Sequence, residues 1–138
     1  MIDSSITLAW FFEDERTAAA DAVLHRVTGT GALVPSLWRL EVANGLQIAI
    51  RRRRVETAFR DATLADLSAM AITIDPATDS QAWATTLRLA DRHGLTLYDA
   101  AYLELAQRTA TPLASLDRAL CNAAGALGIE VLGRGFDA

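Results

Sequence analysis

Short apolar blocks alternate with longer helical stretches along the chain, and this alternation limits the fold more than any other feature of the sequence. The apolar, strand-like blocks occupy residues 32–34, 72–74, 112–116 and 129–132. The helical stretches occupy residues 6–12, 13–28, 35–52, 55–70, 79–93, 98–108 and 117–127. Strands that alternate with helices favour parallel pairing, with helices covering both faces of the sheet. We therefore expect an α/β fold with three αβα layers and a mainly parallel sheet.

The sequence does not decide how long the first strand is. Only Met1 and Ile2 precede Asp3, so the first strand is either very short or continues from a natural start that lies further upstream. A length of 138 residues fits one domain over residues 1–138. The start has no basic and apolar leader, and no apolar run approaches the roughly 20 residues that span a bilayer. These features predict a cytoplasmic protein that does not enter a membrane.

Composition excludes several kinds of chemistry. All 13 basic residues are arginine, and the absence of lysine excludes P-loop phosphate binding and Schiff-base catalysis. The single Cys121 cannot form an internal disulfide or a multi-cysteine zinc site, and the two histidines lack metal-ligand spacing. A net charge of −4 argues against nucleic-acid binding by bulk charge, but it leaves phosphate binding through metal ions open. Carboxylates and hydroxyls are the groups that remain for catalysis.

Four acidic residues fall where such a sheet gathers its functional groups. Asp3 and Asp117 directly follow predicted strands, Asp99 lies in the first turn of a helix, and Glu41 lies early in the helix after residues 32–34. Strand C-termini and the N-termini of the helices share one edge of a parallel sheet, so the four carboxylates can meet there. Asn44 would project beside Glu41, since residues three apart lie on one helix face.

Three of the four acids also have an ordinary structural explanation, whereas Glu41 is harder to explain, because a buried glutamate without a partner is costly. Asp3 and Asp117 can cap helices, and Thr96 with Asp99 fits a capping box. Four carboxylates at one edge nevertheless repel one another unless a cation neutralises them. Oxygen ligands without histidine or thiolate favour Mg²⁺, for which Mn²⁺ can substitute. Such a site activates water for phosphodiester hydrolysis.

Four local motifs around these acids resemble those of PIN-domain ribonucleases, especially the VapC toxins of bacterial toxin–antitoxin pairs. The sequence Asp3-Ser4-Ser5 is similar to the opening Asp-x-Ser of the family. Residues 40–44 (LEVAN) resemble its second motif, residues 97–102 (LYDAAY) its most characteristic stretch, and residues 114–120 (ASLDRAL) its fourth motif. The resemblance covers essentially the whole chain. The family usually has a longer apolar strand before its first aspartate, and this sequence departs from the pattern there.

The resemblance implies a strand order of 3-2-1-4-5 and a catalytic quartet of Asp3, Glu41, Asp99 and Asp117. Asp3 and Asp99 would be the principal Mg²⁺ ligands, and Asp117 and Glu41 would complete the site directly or through water. The reaction implied is endonucleolytic hydrolysis of RNA.

The resemblance also implies supporting residues and partners. Ser5 and Ser115 would orient carboxylates or water, and Asn44 would support Glu41. Family members bind a cognate antitoxin, here VapB-like, that blocks the site, and they commonly form homodimers.

Two alternatives remain open from the sequence. The run Arg51-Arg52-Arg53-Arg54 is either a solvated helix end, where the helix dipole favours cations, or a patch that steers RNA phosphates. The chain could also be a catalytically weak PIN-like binding module that acts through a protein partner. A response-regulator type of phosphate chemistry is disfavoured because it requires a lysine.

Overall fold

The computed structural model describes residues 1–135 and contains four short strands among eight α-helices in that range. The strands are β1 (Ala32–Val34), β2 (Ile72–Ile74), β3 (Leu113–Ala114) and β4 (Val131–Leu132). The helices are α1 (Ser4–Ala9), α2 (Ala18–Thr30), α3 (Trp38–Arg51), α4 (Thr57–Ser68), α5 (Thr78–Gln81), α6 (Thr85–His93), α7 (Leu97–Thr109) and α8 (Arg118–Ala126). A short 3-10 helix, Glu13–Glu15, precedes α2. No helix among these is long and apolar enough to cross a membrane.

The strands pair in two short parallel sheets, and this pairing confirms the α/β class. Strand β1 pairs with β2, with Ala32 opposite Ile72, and β3 pairs with β4. Ile2 forms an isolated parallel bridge with Ala114, so the first predicted strand is reduced to one residue in this structure. If Ile2 is counted as strand 1 and β1 to β4 as strands 2 to 5, these pairings give the neighbours 3-2 and 1-4-5. They are the two parts of the expected order 3-2-1-4-5. No ladder joins the two parts within residues 1–135.

Helix α7 forms the centre of the core. Its residues 100–106 are all buried, and three of these seven residues are alanines that let neighbouring elements approach closely. Large buried side chains around it include Ile6, Leu46 and Leu120. This burial fixes α7 in the core, and Asp99 lies in the first turn of the same helix.

Several predicted boundaries were wrong for local reasons. The helix expected over 13–28 is divided, because Thr17 caps Ala20 through its hydroxyl and begins α2 there. Gly29 does not end that helix, which stops at Gly31 instead. Gly31 has a φ of 77°, and a Cβ at this position would lie 2.7 Å from the Ala71 carbonyl oxygen, so the turn needs a glycine.

Other boundaries differ in length. The helix expected over 79–93 is interrupted between α5 and α6, where Trp83 is 90% exposed and the Ala84 backbone leaves the helical region. The strands expected over 112–116 and 129–132 are each two residues long. Of the tail expected over residues 133–138, residues 136–138 lie outside the described part of the chain.

Candidate metal centre

The carboxylate of Asp3 is held at the N-terminus of α1 by three hydrogen bonds. Its Oδ1 accepts from the Ile6 amide at 3.0 Å and from the Ser5 hydroxyl at 2.7 Å. Its Oδ2 accepts from the Ser115 hydroxyl. The side chain is buried, with 4% of its residue surface exposed. Asp3 is therefore a helix cap, as its position allowed, and the same contacts also fix its carboxylate beside the loop that follows β3.

The two serines join α1 to that loop. Ser5 accepts from the Leu116 amide at 2.9 Å, and Ser115 accepts from the Asp117 amide at 3.0 Å. The two hydroxyl oxygens lie 3.5 Å apart. Both predicted supporting serines therefore contact Asp3 directly, and they bring the start of the chain to the Asp117 loop.

Asp99 and Asp117 lie at the N-termini of two helices. Thr96 caps α7 by accepting from the Asp99 amide at 3.1 Å, and the Asp99 side chain is half-buried. Asp117 caps α8 by accepting from the Leu120 amide at 2.8 Å and is exposed. The expected capping roles of Thr96 and Asp117 are confirmed, and within residues 1–135 the Asp99 carboxylate accepts from no backbone amide.

Glu41 is held by a residue that the sequence analysis did not single out. The Tyr102 hydroxyl donates to Glu41 Oε1 at 2.6 Å across 61 positions of the chain. Tyr102 is fully buried and lies one helical turn after Asp99 on α7. Residues three apart share a helix face, so this spacing is the sequence feature that could have pointed to Tyr102. Asn44 is exposed, and its side chain makes no hydrogen bond with any residue of the described range. Its support of Glu41 stays a prediction.

The electrostatics couple the four acids to one another. Burial raises the pKa of Asp3, Glu41 and Asp99, and neighbouring negative charges raise each of them further. The charge of Asp99 raises the pKa of Asp3 and of Glu41. The charge of Asp3 also raises the pKa of Glu41, and that of Asp117 raises the pKa of Asp99. Hydrogen bonds from Ser115 and Tyr102 oppose the effect at Asp3 and Glu41. The predicted quartet is thus one cluster of mutually repelling carboxyl groups.

A fifth acid at a strand end behaves differently. Asp75 follows β2, but the Arg108 guanidinium pairs with its Oδ2 at 2.6 Å, and Arg108 also pairs with Glu104 at 2.6 Å. None of the four clustered acids has an arginine partner among the salt bridges of residues 1–135. The cluster therefore carries uncompensated negative charge, whereas Asp75 is neutralised and has a structural role.

The cluster suits a hard divalent cation, because all its donors are oxygens and their mutual repulsion would be relieved by positive charge. No three histidine, cysteine, aspartate or glutamate side chains within residues 1–135 are already arranged to hold a metal ion. Like charges separate when nothing neutralises them, so the carboxylates would have to draw together around the ion.

Comparisons with known proteins identify a family and a similar fold. The sequence profile described as the PIN domain matches residues 1–126, a range that includes all four acids. Among solved structures, the chain is similar to PAE2754 from Pyrobaculum aerophilum, with 26% sequence identity and a TM-score of 0.68. That alignment covers 94% of this chain and 81% of PAE2754. No curated protein matches the chain.

Proposed function

The chain belongs to the PIN domain family, and from this we propose that it is a Mg²⁺-dependent endoribonuclease that hydrolyses RNA phosphodiester bonds. PIN domains are generally nucleases and typically use divalent metal ions. The observation that carries the proposal is the hydrogen-bonded geometry of the acids: Ser5 and Ser115 hold Asp3 beside the Asp117 loop, and Tyr102 holds Glu41 against the helix of Asp99. None of the four acids has an arginine partner among the salt bridges of residues 1–135. Such a cluster costs stability unless it binds a cation.

Asp3 and Asp99 would hold the Mg²⁺ ion, for which Mn²⁺ can substitute, and Asp117 and Glu41 would complete the site directly or through water. When bound, the ion would supply Lewis-acid stabilisation of the charge that develops on the phosphate and would lower the pKa of the attacking water.

The supporting residues act through these acids. Ser5 and Ser115 donate to Asp3 and orient its two oxygens. Tyr102 orients Glu41 through its hydroxyl. Asn44, one turn along α3 from Glu41, is assigned the lesser supporting role. Hydrolysis at this site would leave a 5′-phosphate and a 3′-hydroxyl.

Charge-only substitutions test the enzymatic proposal. Asp3→Asn and Asp99→Asn should abolish Mg²⁺-dependent RNA cleavage, whereas Asp66→Asn, at an exposed acid on α4, should leave it intact. RNA ends are sequenced after brief digestion, with and without a chelator. The proposal fails if either active-site variant, after rigorous purification, cleaves RNA as fast as the unsubstituted chain.

For the biological setting, we propose the toxin of a VapBC-type toxin–antitoxin pair, acting in the cytoplasm as a homodimer and inhibited by a VapB-like antitoxin. The motif resemblance over the four acids supports this assignment. Expression of the chain alone should arrest growth, and co-expression with a small neighbouring DNA-binding protein should relieve the arrest. If the Asp99→Asn variant arrests growth equally, toxicity does not come from cleavage.

A second candidate is a catalytically weak PIN-like binding module. It is favoured by one observation, the absence of a ready-made three-ligand metal site among residues 1–135. Calorimetric titration with Mn²⁺ separates the two candidates. The nuclease proposal expects binding that Asp3→Asn and Asp99→Asn weaken strongly, and a binding module expects no metal binding at these residues.

A further inference from the structure

We propose that Arg54 binds a backbone phosphate of the RNA strand, in a groove that leads from its guanidinium to the acid cluster. The inference rests on the proposed function, since it takes RNA as the substrate. It also divides the arginine run into residues with different roles, which the sequence alone left open.

The end of α3 separates Arg54 from the rest of the run. Helix α3 ends at Arg51, and Arg53 has a left-handed φ of 57°. The Arg54 amide then donates back to the Ala49 carbonyl at 2.9 Å, which is a Schellman-type ending. Arg51 to Arg53 are exposed at the helix end, while the chain reversal directs Arg54 towards the segment that follows α1.

The guanidinium of Arg54 lies on an aromatic support. Its Cζ is 4.5 Å from the centre of the Phe12 ring, and Phe12 is itself buried and stacked on Phe59 at 5.8 Å between centroids. A cation over a ring face is attracted to it, and the buried ring cannot easily move away. Arg54 is therefore held in one place, with 41% of its side chain still exposed.

The current partners of Arg54 are carboxylates at the surface. Its Nη2 lies 3.0 Å from Asp14 Oδ1 and 3.6 Å from Glu15 Oε2. The Asp14 side chain is 74% exposed, and ion pairs this accessible to water contribute little to stability. A phosphate can form the same charge-assisted hydrogen bonds with the guanidinium, and can replace Asp14 without disturbing the Phe12 contact.

A groove of about 360 Å³ joins this arginine to the candidate metal centre. Arg54 and Glu15 line one part of it, and Ser5 and Asp117 line another. Leu8 and Gly45 also line the groove, where α1 lies close against α3; a Cβ at position 45 would come within 2.4 Å of Leu8 Cδ1. The groove thus has Arg54 along the same surface as Asp117, the member of the acid cluster that lines it, and Ser5, which donates to Asp3.

The charges of the groove select its ligand. A metal ion on the acids would hold one anionic group, and Arg54 offers a second anion-binding site in the groove. A ligand that satisfies both carries repeated negative charges along a chain, as an RNA strand does through its successive phosphates. Because the whole chain has a net charge of −4, a local cation beside the site has a large effect on RNA binding.

The test compares Arg54→Ala with Arg52→Ala, a matched arginine of the same run that lies outside the groove. We expect Arg54→Ala to raise KM for a short RNA about tenfold with kcat nearly unchanged, and to reduce the salt slope of log kcat/KM by about one. Arg52→Ala should change neither value. Arg54→Lys should recover only part of the loss, because it lacks the planar fork.

A second variant separates phosphate binding from a purely structural role of Arg54. Asp14→Asn removes the competing carboxylate, so RNA should bind more tightly, whereas a structural ion pair would give weaker binding or a lower melting temperature. Fluorescence anisotropy with labelled RNA in the Asp99→Asn background provides a readout that does not depend on cleavage.

The outcomes distinguish this inference from the proposed function. If the chain neither cleaves nor binds RNA, both are overturned. If RNA binds and Arg54→Ala leaves affinity and salt slope unchanged, only the role of Arg54 is overturned. A loss of binding to a protein partner with unchanged RNA binding would also overturn it, and would assign Arg54 to a protein interface.

Discussion

The Ser115 hydroxyl donates to the carboxylate of Asp3, a residue 112 positions earlier in the chain. The bond joins the loop after β3 to the start of α1, and it is the strongest influence that opposes the effect of burial on the pKa of Asp3. Ser5 and the Ile6 amide oppose that effect as well. The ionisation of Asp3 therefore depends on a contact that exists only in the folded chain.

Replacing this serine should move the pH dependence of cleavage. In Ser115→Ala the pKa of Asp3 rises further, so a higher pH is needed to ionise the proposed metal ligand. The acidic limb of the kcat/KM profile should shift upward, while Ser80→Ala, at an exposed serine on α5, should not move it. An unchanged limb in Ser115→Ala would show that Asp3 ionisation does not limit the reaction.

The metal-free chain should lose stability as pH rises. The folded-state pKa values of Asp3, Glu41 and Asp99 lie above their ordinary values of 3.8 and 4.5, so the folded state holds these protons more tightly than the unfolded state. Their contribution to stability is complete below those ordinary values and declines as pH rises through the folded-state pKa values.

Thermal unfolding in a chelator measures this effect. We expect the melting temperature to fall as pH rises from about 4, near the ordinary pKa values of these groups, towards neutrality, and added Mg²⁺ should raise the value at the higher pH. Asp3→Asn should reduce the pH dependence, because it removes one of the three groups. A metal-free melting temperature that increases over this interval would contradict the assignment.

The sequence predicted the parts of the site that depend on local order. Asp117 follows β3 closely, and Thr96 with Asp99 begins α7, so their places followed from strand and helix signals. Strands Ala32–Val34 and Ile72–Ile74 were predicted with the observed bounds. These features need only neighbouring residues and the geometry of a parallel sheet.

The parts that were missed depend on contacts between distant elements. Tyr102 reaches Glu41 across 61 positions, and Arg108 reaches Asp75 across 33, so no local pattern distinguishes these partners from other buried or exposed side chains. The break before α6 likewise leaves the apolar Trp83 exposed, against the ordinary preference for burial. Tertiary packing decides each case.

Removing the Tyr102 hydroxyl should affect Glu41 selectively. In Tyr102→Phe the pKa of Glu41 rises, because the hydrogen bond that favours its ionised form is lost. We expect about 1.5–3 kcal/mol lower unfolding free energy, the scale for a hydrogen bond to a charged group, and weaker Mn²⁺ binding by calorimetry. The control is Tyr98→Phe, at a ring that is 64% exposed. Equal effects of the two substitutions would show that the Tyr102 hydroxyl has no specific role at the site.

The Arg108 ion pairs should be a main electrostatic determinant of stability. Asp75 and Glu104 are only 6% and 3% exposed, and Arg108 is their shared partner. Arg108→Ala leaves two buried carboxylates without a cation and should lower the unfolding free energy by about 3 kcal/mol, the low end of the usual range because Arg108 is partly exposed. Urea denaturation should show a loss below about 1 kcal/mol for Arg16→Ala, whose pair with Asp21 lies at the surface, with side chains 51% and 42% exposed. Similar losses in the two variants would contradict this role.

The close approach of α1 and α3 at Leu8 and Gly45 predicts coupling in a double-mutant cycle. In the unsubstituted chain, Gly45→Ala places a methyl group 2.4 Å from Leu8 Cδ1 and forces the end of that half-buried side chain to move. This movement offsets part of the roughly 1 kcal/mol that alanine gains over glycine in a helix interior. Gly45→Ala alone should therefore stabilise the chain by less than the helix preference predicts.

Leu8→Ala removes the methyl group that a Cβ at position 45 would meet, and the preference of a helix for alanine over glycine remains. In the Leu8→Ala background, Gly45→Ala should stabilise the chain by about 0.5–1 kcal/mol, so the two substitutions couple with a sign that only direct contact produces. Urea denaturation of the four chains measures the cycle. Additive effects would mean that α1 and α3 do not meet at these residues, and the groove between Arg54 and the acids would then lack the shape described above.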